Sequence, residues 1–355
     1  MRVVLLANAA SPHTQRWAGA LLERGVEVHV VSIRDAVISG VPVHRVGVGD
    51  PGRRGALRSL LSYLRLLLRA RRIIGDIDPD VVNAHYSVTH GAIAVFARLR
   101  PVVLTVWGTD VVWGNHLVRG PKRWLNRFVM GRVDAVTASS RFLVNAVREI
   151  GAGNTPIHLV PFGVDTAVFF PARDRGSARR IGFVKRFDLR YDPLTLVDAF
   201  AAMTDTSWRL VMVGGGPLEA RLRRRAVELG VDGRVEIQPA VNLHSVPDLM
   251  RGLDILVNPS RSESFGVVML EASASGVPVV ATKVGGTAET VIDGETGLVV
   301  PVGDTSALAA ALDALAADAS LRTRLGTAGR RFVETTYEWR DCVEAMVGVL
   351  QGVDG

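Results

Sequence analysis

The chain has one cysteine, Cys342, in 355 residues. No internal disulfide can form, and such cysteine usage fits a reducing compartment. Lysine is scarce too: three Lys stand within a Lys+Arg total of 42, so nearly all positive charge is guanidinium. No apolar run reaches the roughly 20 residues of a membrane-spanning helix. The first residues enter directly as a strand, without the basic-then-apolar pattern of a secretory signal, so a cytoplasmic location is expected. The loop after that strand, Asn8–His13, holds no G-x-G-x-x-G, and no dinucleotide site is expected there. No His/Cys/carboxylate cluster has metal-ligand spacing. Asp76-Ile77-Asp78 has the D-x-D form, but it falls between a helix and the amino end of a strand, away from the loops where ligands are expected. No metal is expected, and no low-complexity run or repeat stands out.

What is present is an ordinary globular composition, 48% hydrophobic and 22% charged, on a chain long enough for two cores. Continuous apolar runs such as Val3–Ala7 and Val102–Val106 read as strands buried on both faces. They alternate with amphipathic stretches near 13–24, 57–74, 89–99, 122–130 and 142–150. After an aperiodic stretch, Phe169–Arg180, read as a linker, a second alternation begins. Its strands are expected at 181–184, 208–213, 235–238, 255–258 and 279–281. The pattern predicts an α/β protein with two Rossmann-like domains, residues 1–172 and 173–335, each with a parallel sheet, facing an interdomain cleft. Ligands on such sheets bind beyond the carboxyl ends of strands.

Charge is uneven. The first 172 residues carry 21 Lys+Arg against 11 Asp+Glu, and the rest are net acidic by three. An anionic partner for the first half and a mere preference for Arg codons both fit. Residues 53–72 hold seven Arg. Leu57, Leu60, Leu61, Leu64, Leu67 and Leu68 recur at helical spacing and are expected to pack on the sheet. Arg58, Arg65, Arg69 and Arg72 fall on another side, toward solvent or an anionic membrane surface.

The most informative stretch runs from Ser260 to Leu298. Glu263 and Glu271 stand eight positions apart, with Ser264, Phe265 and Gly266 between them where a loop should turn into a helix. Ser262 or Ser264 is a candidate cap. A helix N-terminus suits phosphate, and Gly266 lets it approach the backbone. Glu271, on the second turn, would meet vicinal hydroxyls such as those of a ribose. Glu263 would hold hydroxyls on the other side. The spacing suits a sugar, a diphosphate and a ribose in a row. Lys185 and Arg186 end the first strand of the second half, with Arg190 just beyond; cations there would neutralise a diphosphate. Gly214-Gly215-Gly216-Pro217 lies between a strand and a helix, where glycines allow close backbone approach to a base or phosphate.

This segment resembles the Glu-seven-Glu signature of the retaining glycosyltransferases with a GT-B fold, and the likeness continues through Gly276–Thr282, Gly285-Gly286 and Gly294–Gly297. The resemblance implies transfer of a sugar from a nucleoside-diphosphate sugar to an acceptor hydroxyl, with retention on a front-face route, without a metal or other cofactor and without nucleic acid. It implies Lys185, Arg186 and Glu263 at the reacting diphosphate and sugar. Arg190, Gly214, Gly215, Ser264, Phe265, Gly266 and Glu271 would bind the donor. His13, Arg16, His85 and Asp110 would stand on the acceptor side. The chain departs from the family pattern at two places. At the basic loop many relatives have Gly-Arg and then Lys-Gly, where this chain has Lys185-Arg186 and then Arg190-Tyr191-Asp192. Trp107 opens Trp107–Asp110 where relatives often carry His, so no imidazole acts at that position. Tyr337-Glu338-Trp339 is similar to the motif opening the family's last helix, so residues 336–355 are expected to return to the first domain. Lipid-linked or phosphorylated acceptors, glycan or glycolipid synthesis and a peripheral place at a membrane's inner face are the associated expectations. A sugar-nucleotide 2-epimerase of the same fold and a non-catalytic nucleotide-sugar binding module are the alternatives.

Overall fold

The computed structural model describes residues 1–47, 56–113, 116–172 and 179–353. The chain divides into two compact units, Met1–Pro161 with Cys342–Gly355, and Phe162–Asp341. The first unit ends before the expected linker because Phe162–Phe169 is bound into the second. Val164 N–H donates to Tyr337 O at 2.8 Å, and Arg330 Nη2 donates to Thr166 O at 3.0 Å.

The first unit begins with β1 (Arg2–Leu6), α1 (Pro12–Glu23), β2 (Glu27–Ser32), β3 (Val43–Arg45), α2 (Ala56–Ile77) and β4 (Val81–His85). A π-helix (Tyr86–Gly91) leads into α3 (Ala92–Phe96), then β5 (Val102–Val106), the antiparallel pair β6 (Val112–Trp113) and β7 (His116–Leu117), and α4 (Gly120–Met130). The unit continues with β8 (Ala135–Ala138), α5 (Arg141–Ile150) and β9 (Ile157–Leu159). Its sheet is parallel in the order β3-β2-β1-β4-β5-β8-β9. Val3–Leu6 and Val102–Val106 are buried throughout, as strands covered on both faces must be.

The second unit holds β10 (Arg180–Val184), α6 (Pro193–Ala201), β11 (Arg209–Val213), α7 (Glu219–Glu228), β12 (Val235–Gln238), α8 (Val246–Arg251) and β13 (Ile255–Asn258). It goes on through α9 (Val267–Ala274), β14 (Val279–Thr282), α10 (Thr287–Thr290), β15 (Gly297–Val300), α11 (Thr305–Ala317) and α12 (Ala319–Thr336). The parallel order is β12-β11-β10-β13-β14-β15. The last helix, α13 (Trp339–Gly352), starts in this unit, and from Cys342 it belongs to the first, where Glu344 pairs with Arg24 at 2.8 Å.

Two helices differ from the sequence reading. The stretch 89–99 is helical only to Phe96 and begins as the π-helix at Tyr86, a residue with φ +66°. On α2 the buried stripe is Leu66, Ala70 and Ile74, flanked by partly buried Tyr63, Leu67, Ile73 and Ile77. Leu64 and Leu68 are exposed. Both sets have helical spacing, but the Leu64–Leu68 set continues into Arg71 and Arg72, whose unpaired burial would be costly, whereas the other continues into isoleucines. The side chains of Leu57, Arg58, Leu60 and Leu61 lie outside the described residues, as do Arg53 and Arg54.

Candidate functional site

In the second unit the Glu263 loop forms at the carboxyl end of β13. Asn258, the buried last residue of that strand, accepts from Ser260 Oγ at 2.7 Å and donates to Met269 Sδ at 3.2 Å. Thr282 Oγ1 donates to Ser260 O, tying the loop to β14. Gly286 N–H donates to Glu263 O at 3.0 Å. A Cβ on Gly286 would lie 2.4 Å from Ser264 O, so the turn after β14 fits against the loop only as glycine. The N-cap position of α9, expected for Ser262 or Ser264, is held by Gly266 at φ +91°. The left-handed turn brings the chain into the helix by itself. Phe265 is buried against Tyr337 and shapes the loop from inside. Glu271 is the fifth residue of α9 and half-buried.

The cations come from the strand beside it. β10 pairs with β13, and Lys185, the residue after β10, forms an ion pair with Glu263 in which both side chains are nearly buried. The Lys185 ammonium also lies 4.6 Å from the centre of the Tyr191 ring. Arg186 is exposed, 3.5 Å from Asp188. Arg190 O accepts from Arg261 N–H at 2.7 Å, and Arg261 pairs with Asp192 at 2.7 Å, clamping the basic loop to the Glu263 loop. Asp192 sits at φ +46°, and its carboxylate accepts from Thr195 Oγ1 at 2.8 Å.

Gly214 and Gly215 follow β11. A Cβ on Gly214 would lie 2.0 Å from Lys185 O, so glycine lets this loop touch the basic one. Here a pocket of about 360 Å³ is lined by Val184, Lys185, Gly214, Ala240, Val241 and Val246. Its apolar wall was missed by sequence reading. Ala240 and Val241 carry no polar signal, and only the strand order β12-β11-β10 brings them to the glycines.

In the first unit the candidates gather at the carboxyl ends of β1, β4 and β5. His13 stacks on Trp107 with ring centres 5.2 Å apart, and His85 meets the same ring edge-on at 5.4 Å. Val103 O can only accept, so Asn83 Nδ2 donates to it at 3.1 Å and to Thr105 Oγ1 at 2.8 Å. Asn83 Oδ1 then faces His85 Nε2 at 3.0 Å, which fixes His85 as the Nε2–H tautomer. Thr105 Oγ1 meets Thr137 Oγ1 at 2.8 Å, extending the chain into β8. Burial pushes the His85 pKa down to about 3, with His90 and His13 adding to the effect. Burial and Arg16 lower that of His13.

Asp110 is buried, and the expected acceptor contact does not match its surroundings. Its carboxylate accepts Ser87 N–H at 3.1 Å and Gly108 N–H at 2.9 Å. It ties the turn that carries Trp107 to the start of the π-helix. Burial raises its pKa, and these backbone N–H groups oppose the rise. Asp76 is exposed, 3.9 Å from Arg72, and Asp78 turns at φ +52° with its carbonyl accepting from Arg2 at 3.2 Å. The D-x-D sequence is thus a helix end.

Residues 8–163 match the Glycosyl transferase 4-like domain, and residues 167–332 match Glycosyl transferases group 1. The chain is 37% identical to a D-inositol 3-phosphate glycosyltransferase of Xylanimonas cellulosilytica over 98% of this chain and 96% of that one. It is 30% identical to a GDP-mannose-dependent alpha-(1-6)-phosphatidylinositol monomannoside mannosyltransferase of Mycolicibacterium smegmatis, over 80% of this chain and 79% of that one. In fold it is similar to the sucrose-phosphate synthase of Thermosynechococcus elongatus, with a TM-score of 0.86 at 22% identity over 99% and 98% of the two chains. Two parallel Rossmann-like sheets, the Glu263–Glu271 segment and these likenesses agree: the chain belongs to the glycosyl transferases group 1 family and is a glycosyltransferase of the GT-B fold.

Proposed function

We propose that this glycosyltransferase moves a hexose from a nucleoside-diphosphate sugar to an acceptor hydroxyl, with retention at the anomeric carbon and without a metal. The observation that carries the reading is the meeting of Lys185 with Glu263 beside the Gly214 loop and the N-terminus of α9. The apolar pocket at Val213–Gly215 and Val241 receives the base. Glu271 accepts from the ribose hydroxyls. The α9 N–H groups at Gly266, with Lys185, Arg186 and Arg190, hold the diphosphate and stabilise its charge as it leaves. Glu263 orients the sugar.

The acceptor side belongs to His13, Arg16 and His85. A neutral His85 offers hydrogen bonding rather than charge, so Arg16 and the basic balance of the first unit favour an acceptor bearing phosphate. The two relatives named for inositol 3-phosphate and phosphatidylinositol monomannoside support an anionic or lipid-linked acceptor. No helix among the described residues is long and apolar enough to cross a membrane. A cytoplasmic enzyme that meets its acceptor peripherally fits this and the Arg-rich α2.

A thermal-shift panel of UDP-, GDP-, ADP- and dTDP-sugars tests the donor reading, because a ligand bound to the folded state stabilises it by mass action. One base should raise the midpoint above the rest, and no shift with any would sink the reading. Incubation of that donor without acceptor separates the alternatives: an altered sugar indicates an epimerase, and binding with no turnover even when acceptors are added indicates a binding module.

A further inference from the structure

Tyr337 closes α12 as its C-cap, and its side chain is buried. Its ring meets two others edge-on, Phe332 and Phe265, each with centres 5.5 Å apart. Phe265 lies inside the Glu263 loop. The Tyr337 hydroxyl donates to Glu289 O at 2.7 Å. The last carbonyls of a helix have no partner within it. Glu289 stands one residue before the end of α10, so its donor comes from outside that helix. Glu289 N–H donates in turn to Gly286 O at 3.0 Å, and Gly286 N–H donates to Glu263 O at 3.0 Å. One side chain therefore meets the Glu263 loop by two routes. The first is ring against ring, and the second runs through the turn that braces Glu263.

A side chain can hold another only where it is itself held. Tyr337 N–H donates to Val333 O at 2.8 Å, and Tyr337 O accepts Val164 N–H at 2.8 Å. Trp339 N–H donates to Val164 O at 3.0 Å, and Thr166 Oγ1 donates to Glu338 Oε2 at 2.5 Å. These are the segments by which the chain enters and leaves the second unit, so the phenol stands on backbone anchored from both. Packing alone does not call for tyrosine here, because phenylalanine would fill the same space. A buried phenol hydroxyl is kept where it has a partner, and this one takes a carbonyl on the turn behind Glu263. In the function proposed above Glu263 orients the sugar, and transfer tolerates little displacement of a group with that task.

We infer that Tyr337 is a positioning residue for transfer, acting on Glu263 through Phe265 on one side and through Glu289 and Gly286 on the other. The inference rests on the reading that Glu263 orients the sugar. The sequence reading gave Tyr337 only the opening of the last helix. Its link to the Glu263 loop appears once α10 and α12 are in place.

The test pairs kinetics with amide hydrogen exchange on the full chain. Tyr337→Phe keeps the ring and removes only the hydroxyl. Its kcat should fall about ten-fold. The donor KM should change far less, because Glu271 and the cations that bind the donor stay in place. Tyr337→Leu, which removes the ring as well, should be slower still. Tyr337→Phe combined with Glu263→Gln should be little slower than Glu263→Gln alone, since both changes act on one contact. Leu312→Val, a trim of the packed core where α11 meets α6, should lower the thermal midpoint and leave kcat at the wild-type value. The exchange arm needs no donor. The Gly286 amide should exchange several-fold faster in Tyr337→Phe than in Leu312→Val, a local opening beyond any global loss of stability. Wild-type kcat in Tyr337→Phe, losses that multiply in the double variant, an equal loss of kcat in Leu312→Val, or unchanged exchange at Gly286 would each overturn the inference. A wild type that transfers no sugar from any donor would sink the transferase reading instead, and the exchange result would then decide alone whether Tyr337 holds the loop.

Discussion

Lys185 and Glu263, 78 residues apart in sequence, form a nearly buried ion pair where β10 and β13 end side by side. The proposed roles give these two groups different ligands, the diphosphate and the sugar. The Lys185 ammonium has three donors, so it can reach a phosphate while Glu263 competes with that phosphate for it. Glu263→Gln removes the competing anion. Nucleoside diphosphate should bind at least as tightly as to wild type, while transfer falls by about 10- to 100-fold, the loss of one charge-assisted contact of about 1.5–3 kcal/mol. Calorimetry with the diphosphate and initial-rate kinetics read the two effects separately. Weaker diphosphate binding with unchanged turnover would reverse the assignment.

Glu271 is expected to act on binding rather than on chemistry. Glu271→Gln should weaken the donor's dissociation constant by about 10- to 100-fold through the lost carboxylate contact, with a smaller change in kcat. Unchanged affinity in calorimetry would remove the ribose from this residue.

Acid should destabilise the protein through its histidines. His85 has a folded pKa of about 3 against an ordinary value of 6.5. Above pH 6.5 neither state binds a proton there. As pH falls below 6.5 the unfolded state takes up a proton that the folded state refuses, so stability is lost down to about pH 3. His13 and His90 shift in the same direction. Asp110, raised, works the other way at pH values just above its ordinary 3.8. A fully shifted His contributes up to about 1.4 kcal/mol per pH unit. Denaturant unfolding at pH 7, 6 and 5 should show stability falling, and His85→Asn should flatten the fall. An identical slope in the variant would mean that His85 is not held neutral.

Transfer should survive EDTA, because Lys185, Arg186, Arg190 and the α9 N-terminus supply the charge that a metal would otherwise provide. Loss of activity restored by Mn²⁺ or Mg²⁺ would contradict this.

Much of this fold was legible because buried parallel strands are continuous apolar runs and the Glu263–Glu271 spacing belongs to one segment. What was not legible depends on competition between equivalent patterns or on strand order. Two leucine-bearing stripes on α2 share one periodicity, and only their continuation, toward arginine or toward isoleucine, decides which is buried. Asp110 reads as a loop carboxylate free for a ligand, yet the π-helix after β4, invisible to a 3.6-residue period, places Ser87 N–H against it. Arg261 and Asp192 have no sequence signal that links them. They meet because β10 and β13 are neighbours. Gly266 shows the reverse case, where a left-handed glycine replaces the serine cap that the sequence offers twice.

The central claim is tested most directly by proton NMR of the reaction with the preferred nucleotide sugar and an inositol phosphate acceptor. The account predicts one nucleoside diphosphate released for each glycoside formed, and a new anomeric proton with the same configuration as in the donor. An inverted anomeric centre, or a donor consumed only to an epimerised sugar with no glycoside, would contradict it.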